Sequence, residues 1–416
     1  MDKTEHFLKG SEFVQIICER NVCTGCGACA GVCPKHCIFM EADAEGFLYP
    51  RIDTDACIGC GLCERTCPAS AEKTADSLKQ AYAAYHRNQD IRQSSSSGGV
   101  FTAIAQYVIQ QNGIVFGARL DETMGVIHGY ADTVEGLSAF RGSKYVQSEI
   151  GDAYRQAKEF LKQGRLVLFS GTPCQIGGLR SYLGKPYGNL ICQDIICHGV
   201  PAPLAWKKYL EDQQRIFDGK PVAASFRDKT HGWSNFSISI RFSNGKNYLR
   251  PMKQDSFMKA FLMNFCLRDS CYQCAFKQEA RQADITLADF WGINWVAPQM
   301  NDDRGTSLVL IHSEQGENLF VAVREELEWM PVEWKASIDM NPAMCASVAR
   351  PPRRDRFMED LKKKRFLPTV KRYCRQPVSA LLKKHMGSIQ YLPNRILMRL
   401  LGADRYEKLK KVLKRQ

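Results

Sequence analysis

Short apolar runs and helical apolar spacings alternate along the middle of the chain. Runs such as IVFGARL (114–120) and LVLFS (166–170) have the length and composition of buried strands. Elsewhere apolar residues recur every three or four positions, and Val100, Ile104 and Val108 share one face of a predicted helix. Strands that alternate with helices predict a mixed sheet in an α/β or α+β domain.

The same signals continue on both sides of these strands. Residues 70–79 are small and polar, and they predict a linker that leads into a helix. Helices are also predicted over 150–163 and from Gly171 to about Gly184. Further strands are predicted at 125–132, 190–197, 222–227, 235–243, 246–250, 284–288 and 307–312.

The first seventy residues follow a different pattern, which is set by cysteine spacing. The run C-x2-C-x2-C-x3-C-P occurs twice. It is typical of two-cluster bacterial ferredoxins, in which the fourth cysteine of each run ligates the other [4Fe–4S] cluster. Zinc binding and a disulfide framework are the alternatives, but zinc has no use for an exchanged fourth cysteine. We expect cluster I on Cys23, Cys26, Cys29 and Cys67, and cluster II on Cys57, Cys60, Cys63 and Cys33. The tight loops that such clusters need are consistent with Gly25, Gly27, Gly59 and Gly61.

Length and composition limit the class of protein. With 416 residues and 44% hydrophobic content, the chain can bury a sizeable core and form two or three domains. The start, MDKTEHFLKG, lacks the apolar segment of a signal peptide, and no run of eighteen apolar residues would span a membrane. Cluster thiolates also suit a reducing compartment. We therefore expect a cytoplasmic protein.

A second set of cysteines lies far along the chain, at predicted strand ends and turns. A C-x2-C pair together with two single cysteines can form a third [4Fe–4S] site, although buried inert thiols are the common fate of scattered cysteines. Cys192 and Cys266 compete as ligands by position, and Cys18, Cys37, Cys345 and Cys374 are interpreted as structural. The candidate ligands are Cys174, Cys197, Cys271 and Cys274.

Two glycine-rich turns precede predicted helices: Ser96-Ser97-Gly98-Gly99 and Gly171-Thr172-Pro173. Free N–H groups at a helix start favour phosphate, but neither turn matches a dinucleotide or P-loop motif, and helix capping is the alternative. Ser143-Lys144-Tyr145 adds a cation and an aromatic ring that suit a dinucleotide, or that simply form an exposed loop.

Several motifs occur in a characteristic order: SSSSGGVFTAI, RGSKYVQS, GTPCQIGGLRSYL, ICHGVPAPLAWKKYL, SFRDKTHGW, LRDSCYQCAFK and ADITLADFWGI. Over about residues 80–315 the chain resembles the coenzyme F420 hydrogenase/dehydrogenase beta-subunit family. That family includes F420-reducing or F420H2-oxidising subunits of methanogens and a ferredoxin-dependent reductase of 7-hydroxymethyl chlorophyll a.

The resemblance implies a flavin-dependent oxidoreductase that uses FAD and iron–sulfur clusters. It favours the third cluster on the second set of cysteines. By position it implies flavin contacts from Ser96, Ser97, Gly98, Gly99, Ser143, Lys144 and Thr172. The predicted fold class is α+β, with a two-cluster ferredoxin-like domain (1–75), a mixed α/β FAD domain (76–345) and a basic helical tail (346–416).

The expected function is electron transfer from ferredoxin or another low-potential donor, through the clusters and FAD, to a small-molecule substrate. The same path in reverse, as an F420H2 dehydrogenase or F420 reductase subunit, is the first alternative. A pure electron-transfer subunit without its own substrate site is the second. Candidate proton donors are His198, His231 and Asp289, with capping and structural roles as alternatives.

The formal charge of +13 belongs to the end of the chain. From Arg350 onward 21 Lys/Arg stand against 5 Asp/Glu, a net +16 that leaves about −3 for the rest. The amphipathic stretch over 381–401 suits peripheral contact with the inner face of a membrane, docking of an acidic donor, or packing as a helical extension. No nucleic-acid motif accompanies it, so we expect no nucleic-acid partner.

Overall fold

The computed structural model describes residues 17–69 and 79–374. The described residues up to Thr369 form one compact unit, and the described residues from Val370 onward belong to a second. The amphipathic stretch predicted over 381–401 lies outside the described residues, so its three interpretations stay open. No helix in the described part of the chain has both the length and the hydropathy to cross a membrane.

Thirteen strands and thirteen α-helices occur in the described residues. The strands are β1 Ile38–Ala42, β2 Leu48–Ile52, β3 Gln80–His86, β4 Ile114–Leu120, β5 Val126–Ala131, β6 Val167–Ser170, β7 Leu190–Ile195, β8 Pro221–Asp228, β9 Ser237–Phe242, β10 Asn247–Pro251, β11 Ile285–Asp289, β12 Ser307–Ile311 and β13 Leu327–Val332. The helices are α1 Ala28–Val32, α2 Leu62–Arg65, α3 Gln89–Ser94, α4 Val100–Gln110, α5 Ala153–Lys162, α6 Pro173–Leu183, α7 Pro203–Phe217, α8 Ser256–Leu262, α9 Ile293–Val296, α10 Glu314–Val323, α11 Trp334–Asp339, α12 Arg354–Lys363 and α13 Phe366–Tyr373.

An eight-stranded mixed sheet forms the centre of the fold, in the order β13-β3-β12-β11-β7-β6-β4-β5. Its middle strands β11, β7, β6 and β4 are parallel, and the outer strands pair antiparallel. A three-stranded antiparallel sheet, β10-β9-β8, lies apart from it. The mixed α/β architecture predicted from the alternating pattern is therefore confirmed.

Both faces of the central sheet are covered, as the uninterrupted apolar strands require. Val115 and Leu168 face a core that includes Val100, Ile104 and Val108 of α4. The alternate residues of the same strands, Phe116 and Phe169 among them, face a second core with α5 and α6. The period of two along each strand assigns its neighbours to opposite faces.

The helix predicted after residue 79 is wrong, because QAYAAYH forms strand β3. Its alanines favour a helix by local propensity. In the fold, β3 pairs antiparallel with β12 on one side and β13 on the other. Ala83 and Ala84 are fully buried there, so tertiary pairing overrides the local preference.

The N-terminal region carries two short helices and the β1–β2 hairpin. Gly27 and Gly61 precede α1 and α2 with φ of +77° and +65°, as the predicted cluster loops require. This region packs on α6: a Cβ at Gly178 would lie 2.9 Å from the Cβ of Cys26. Only glycine allows α6 to approach the cysteine loop so closely.

The described start of the basic tail contributes to the packed structure. Arg354, at the start of α12, is buried, and its Nη1 donates a hydrogen bond to Glu45 Oε1 at 2.8 Å. Phe357 and Leu361 on the same helix are fully buried. At least one basic residue of the tail, Arg354, is therefore part of the packed structure.

Candidate functional site

A cavity of about 580 Å³ opens at the carboxyl ends of the parallel strands. Ser170 ends β6, Thr172 follows it, Cys197 follows β7 and Asp289 ends β11. All four line the cavity. In open sheets of this kind ligands bind at the carboxyl edge, where loops from neighbouring strands converge. The cavity is therefore the candidate site.

The structure brings two of the predicted flavin-contacting loops together at this cavity. The Ser96 hydroxyl accepts a hydrogen bond from the Ser143 amide at 2.7 Å, and the two hydroxyl oxygens lie 3.0 Å apart. Ser97 also lines the cavity, but its hydroxyl donates to the Thr306 carbonyl at 2.9 Å. Residues 47 positions apart thus form one polar wall.

Thr172 and Gly99 line the cavity as well, and each also begins a helix. Thr172 caps α6 through a capping box with Gln175, so the capping interpretation holds beside the cavity one. Gly99 precedes α4 with φ of +88°. Gly98 does not line the cavity: its amide donates to Ser307 Oγ at 3.0 Å, and a Cβ there would meet the Ala84 carbonyl.

Lys144 lines the cavity, and its ammonium is held by its own loop. Nζ donates to the carbonyls of Ala139 at 2.8 Å and Arg141 at 3.0 Å. Burial lowers the pKa of Lys144 to about 7. An approaching anion would favour the charged form.

Arg227 is the principal buried cation of the cavity, and no sequence signal assigned it a role, although it lies in the SFRDKTHGW motif. Its side chain is 2% exposed and donates to Asp289 Oδ1 at 2.7 Å and to the Ser96 carbonyl at 3.2 Å. The guanidinium also lies 3.9 Å from the centre of the Phe236 ring. Arg227 thereby ties the serine loop to the end of β11.

His128 is a second cavity residue that the sequence did not single out. Nε2 lies 3.1 Å from the Ser170 carbonyl, which can only accept, so this nitrogen carries the proton. Nδ1 lies 2.6 Å from the Ser148 hydroxyl. Burial lowers the pKa of His128 to about 4, which keeps the ring neutral.

The three candidate proton donors are not equally placed. His198 and Asp289 line the cavity, and His231 does not. His198 Nε2 lies 2.7 Å from Asn264 Oδ1, and burial lowers the pKa of its ring. His231 lies beyond β8, with Nδ1 2.9 Å from Ser237 Oγ. His198 and Asp289 remain candidates by position.

A second, smaller cavity shares a wall with the first and is lined by the second cysteine set. Cys174 and Cys197 line both cavities. Burial raises the pKa of the Cys197 thiol to about 11 and that of Cys271 to about 12, and the neighbouring cysteines add to both shifts. Cys192 and Cys266 are buried and do not line this cavity. The four cysteines at this cavity are Cys174, Cys197, Cys271 and Cys274.

Three cations surround the same small cavity: Arg268, Lys277 and Arg281. Arg281 has a carboxylate neighbour, with Nη1 3.5 Å from Asp194 Oδ2. Among the described residues no carboxylate pairs with Lys277, which donates to the Cys197 carbonyl at 2.7 Å. Burying cations is unfavourable without an anion. A cluster held by four thiolates carries negative charge and fits this surrounding.

A single zinc ion fits less well. Zn–S bonds of about 2.3 Å would draw four sulfurs to within about 4 Å of one another. In the described part of the chain, no three His, Cys, Asp or Glu side chains converge closely enough for one ion. None of the eighteen cysteines in the described residues is joined in a disulfide.

The N-terminal cysteines line two further cavities, grouped as the exchanged-ligand pattern predicts. The loop that holds the second group is open to solvent, since Cys60 is exposed and Ile58 is 61% exposed. One cavity is lined by Cys23, Cys26, Cys29 and Cys67, and the other by Cys33, Cys57, Cys60 and Cys63.

Each N-terminal cavity also has a fifth cysteine that was interpreted as structural. Cys18 lines the first cavity and Cys37 the second. Cys37 Sγ lies 3.3 Å from Cys33 Sγ. These thiols lie beside the predicted ligands without belonging to either motif.

Comparison with known families decides what kind of protein this is. Residues 164–333 match the model for the C terminus of the beta subunit of coenzyme F420 hydrogenase/dehydrogenase, and residues 81–154 match the model for its N terminus. Residues 22–71 match a 4Fe-4S dicluster domain. The chain belongs to the coenzyme F420 hydrogenase/dehydrogenase beta-subunit family. The resemblance seen in the sequence is confirmed, and so is the N-terminal 4Fe-4S domain.

Two known proteins to which this chain is similar have names that refer to F420. The coenzyme F420-dependent sulfite reductase of Methanocaldococcus jannaschii is 27% identical over 322 residues, covering 74% of this chain and 47% of that protein. The chain thus spans about half the length of this curated relative. A chain of the F420-reducing [NiFe] hydrogenase complex from Methanosarcina barkeri is 17% identical, with a TM-score of 0.42, covering 72% of this chain and 94% of that one.

Proposed function

We propose that this chain is an iron–sulfur flavoprotein oxidoreductase that passes electrons between three [4Fe–4S] clusters and FAD, and so reduces or oxidises an organic substrate. The observation that carries the proposal is the shared wall of two cavities. One is lined by six of the seven predicted flavin-contacting residues and the other by four cysteines, with Cys174 and Cys197 in both.

The large cavity suits a dinucleotide in both shape and chemistry. Ser96 and Ser143 offer hydroxyls at one wall, and the first-turn amides of α4 follow Gly99. Trp291 and Phe261 offer aromatic surface elsewhere in the cavity. Polar groups for phosphates together with apolar walls for a flat ring are the usual lining of a cofactor site.

FAD, when bound, exchanges single electrons with clusters and a hydride with an organic substrate. The residues of this chain would hold and orient it: Arg227 fixes the serine loop, and His128 keeps Ser148 and the end of β6 in place. His198 and Asp289 line the cavity where a substrate proton could be held. The cysteine sets would hold the clusters in the grouping that the cavities give.

A second candidate is the same redox path with coenzyme F420 as the organic partner. The name of the Methanocaldococcus jannaschii relative supports it. Apolar side chains such as Leu262 and Met340 line the cavity while remaining about half exposed, which suits a flat ring that arrives from solution. Oxidation of F420H2 by the reconstituted protein, followed by absorbance, separates the two candidates. The electron donor in the first case would be ferredoxin or another low-potential protein.

We expect FAD affinity to fall as the pH rises from about 7 to about 9. Burial lowers the pKa of Lys144 to about 7, and a phosphate beside it would raise that pKa again, so binding takes up a proton. Proton uptake is favoured at low pH, which gives the sign. Fluorescence titration of flavin-free protein across this range measures the affinity.

The Lys144→Arg protein is the matched comparison, because arginine stays charged throughout the range. His128 also faces Lys144, but its pKa is lowered to about 4 by burial, so its ring remains neutral across this range. We expect little pH dependence for Lys144→Arg. Equal pH dependence in both proteins would remove Lys144 from the phosphate site, and absence of flavin binding in both would remove the flavoprotein proposal.

A further inference from the structure

Arg268 is a fully buried arginine at the point where the first N-terminal cavity approaches the small cavity and the large cavity. Nε donates to the Cys23 carbonyl at 2.8 Å, and Nη2 lies 3.7 Å from Cys23 Sγ. Nη1 donates to Gln147 Oε1 at 2.8 Å, and Gln147 lines the large cavity. Arg268 itself lines the small cavity of Cys271, whose amide donates to the Arg268 carbonyl.

The charge of Arg268 has no carboxylate partner among the described residues. Its remaining side-chain hydrogen bond goes to the Leu48 carbonyl at 2.9 Å, and its guanidinium stacks 4.1 Å from the centre of the Tyr49 ring. The acidic side chains nearby are paired elsewhere: Asp43 with Arg20, Glu45 with Arg354, and Asp269 with Arg350. A buried cation surrounded only by neutral acceptors and a cysteine sulfur calls for an anion from another source.

The three cysteine cavities are also ordered in space. Thr24 lines the first N-terminal cavity, the small cavity and the large cavity. The second N-terminal cavity shares none of its lining residues with the others, and its loop is exposed at Cys60. The first N-terminal cavity therefore lies between the exposed cysteine loop and the interior of the protein.

We propose that the positive charge of Arg268 raises the reduction potentials of cluster I and of the third cluster. Cluster I is then the junction of the electron path. The proposal rests on the proposed function for the clusters themselves. Each one-electron reduction adds a negative charge to a cluster, and a buried positive charge beside its sulfur stabilises that added charge. Cluster II, farther from Arg268, is then the point where a one-electron donor delivers its electron.

The test is an anaerobic redox titration of the full-length reconstituted protein, followed by electron paramagnetic resonance. We expect Arg268→Gln to shift the midpoint potentials of cluster I and the third cluster to more negative values and to leave that of cluster II unchanged. Arg268→Lys keeps the charge and should stay close to wild type. Arg20→Gln is the matched control, because Arg20 stacks 3.9 Å from the same Tyr49 ring but is exposed and paired with Asp43.

Unchanged potentials in Arg268→Gln, with all clusters present, would overturn the proposal and leave the proposed function standing. If the wild-type protein binds only eight irons, the third cluster is absent. A shift in the midpoint potential of cluster I still tests Arg268 in that case. If Arg268→Gln assembles no cluster I while Arg268→Lys does, the charge requirement is supported. Loss of cluster I in both variants would contradict it, since the forked hydrogen bonds would then matter and the charge would not.

Discussion

We expect the Cys271→Ser protein to bind about eight iron atoms per chain where the wild type binds about twelve. Cys271 lines the small cavity with three other cysteines, and among the described residues no second C-x2-C pair lies there to replace it. Serine is a poor ligand for a four-iron cluster, so one cluster should be lost. The N-terminal cysteines lie in other cavities, and their spectroscopic signal should remain.

Iron analysis after anaerobic reconstitution measures this effect, with Cys345→Ser as the matched control. Cys345 is exposed and follows the small cavity's Ala343 by two residues, but it does not line that cavity. The control should keep about twelve irons. If Cys271→Ser also keeps its full iron content, the four cysteines return to structural roles.

The second large effect is expected from Arg227→Met. This change leaves the Asp289 carboxylate, which is 17% exposed, with Trp233 Nε1 as its remaining side-chain donor at 2.8 Å. Breaking a buried ion pair by removing one partner costs about 3–5 kcal/mol. It also frees the Ser96 carbonyl, so we expect both a lower free energy of unfolding and loss of flavin.

Urea unfolding and flavin fluorescence measure the two results, and Arg119→Met serves as the control at an exposed position. Exposed substitutions usually change stability by less than about 0.5 kcal/mol. An Arg227→Met protein as stable as this control, and still able to bind flavin, would show that Arg227 does not organise the cavity.

The sequence predicted the strands that carry continuous apolar runs, because their burial follows from local composition. β4, β6, β7, β11 and β12 all lie where the pattern placed them, within a few residues. β3 was missed because its alanines and tyrosines gain strand structure only from pairing with β12 and β13. Such pairing joins residues more than 200 positions apart, and no local pattern reports it.

The residues of the candidate site also fall into those that local sequence predicts and those that only the folded structure brings together. The N-terminal cysteine sets could be grouped from spacing alone, because each motif is contiguous and its use by two clusters is a known pattern. The residues alone left the grouping of Cys174, Cys197, Cys271 and Cys274 open, because these cysteines come from three separate segments, and the family resemblance then favoured it. Arg227 and Arg268 were not singled out, because a buried cation is recognised only through partners distant in sequence.

We propose that this chain holds three clusters and one flavin. Counting the electrons that it takes up tests this proposal most directly. Stepwise anaerobic reduction of the reconstituted protein by a one-electron donor such as reduced ferredoxin should take up about five electrons per chain. Three clusters account for one each and the flavin for two, and the flavin absorbance should bleach in step. Uptake of about two electrons without a flavin band would contradict the account and leave only the N-terminal dicluster.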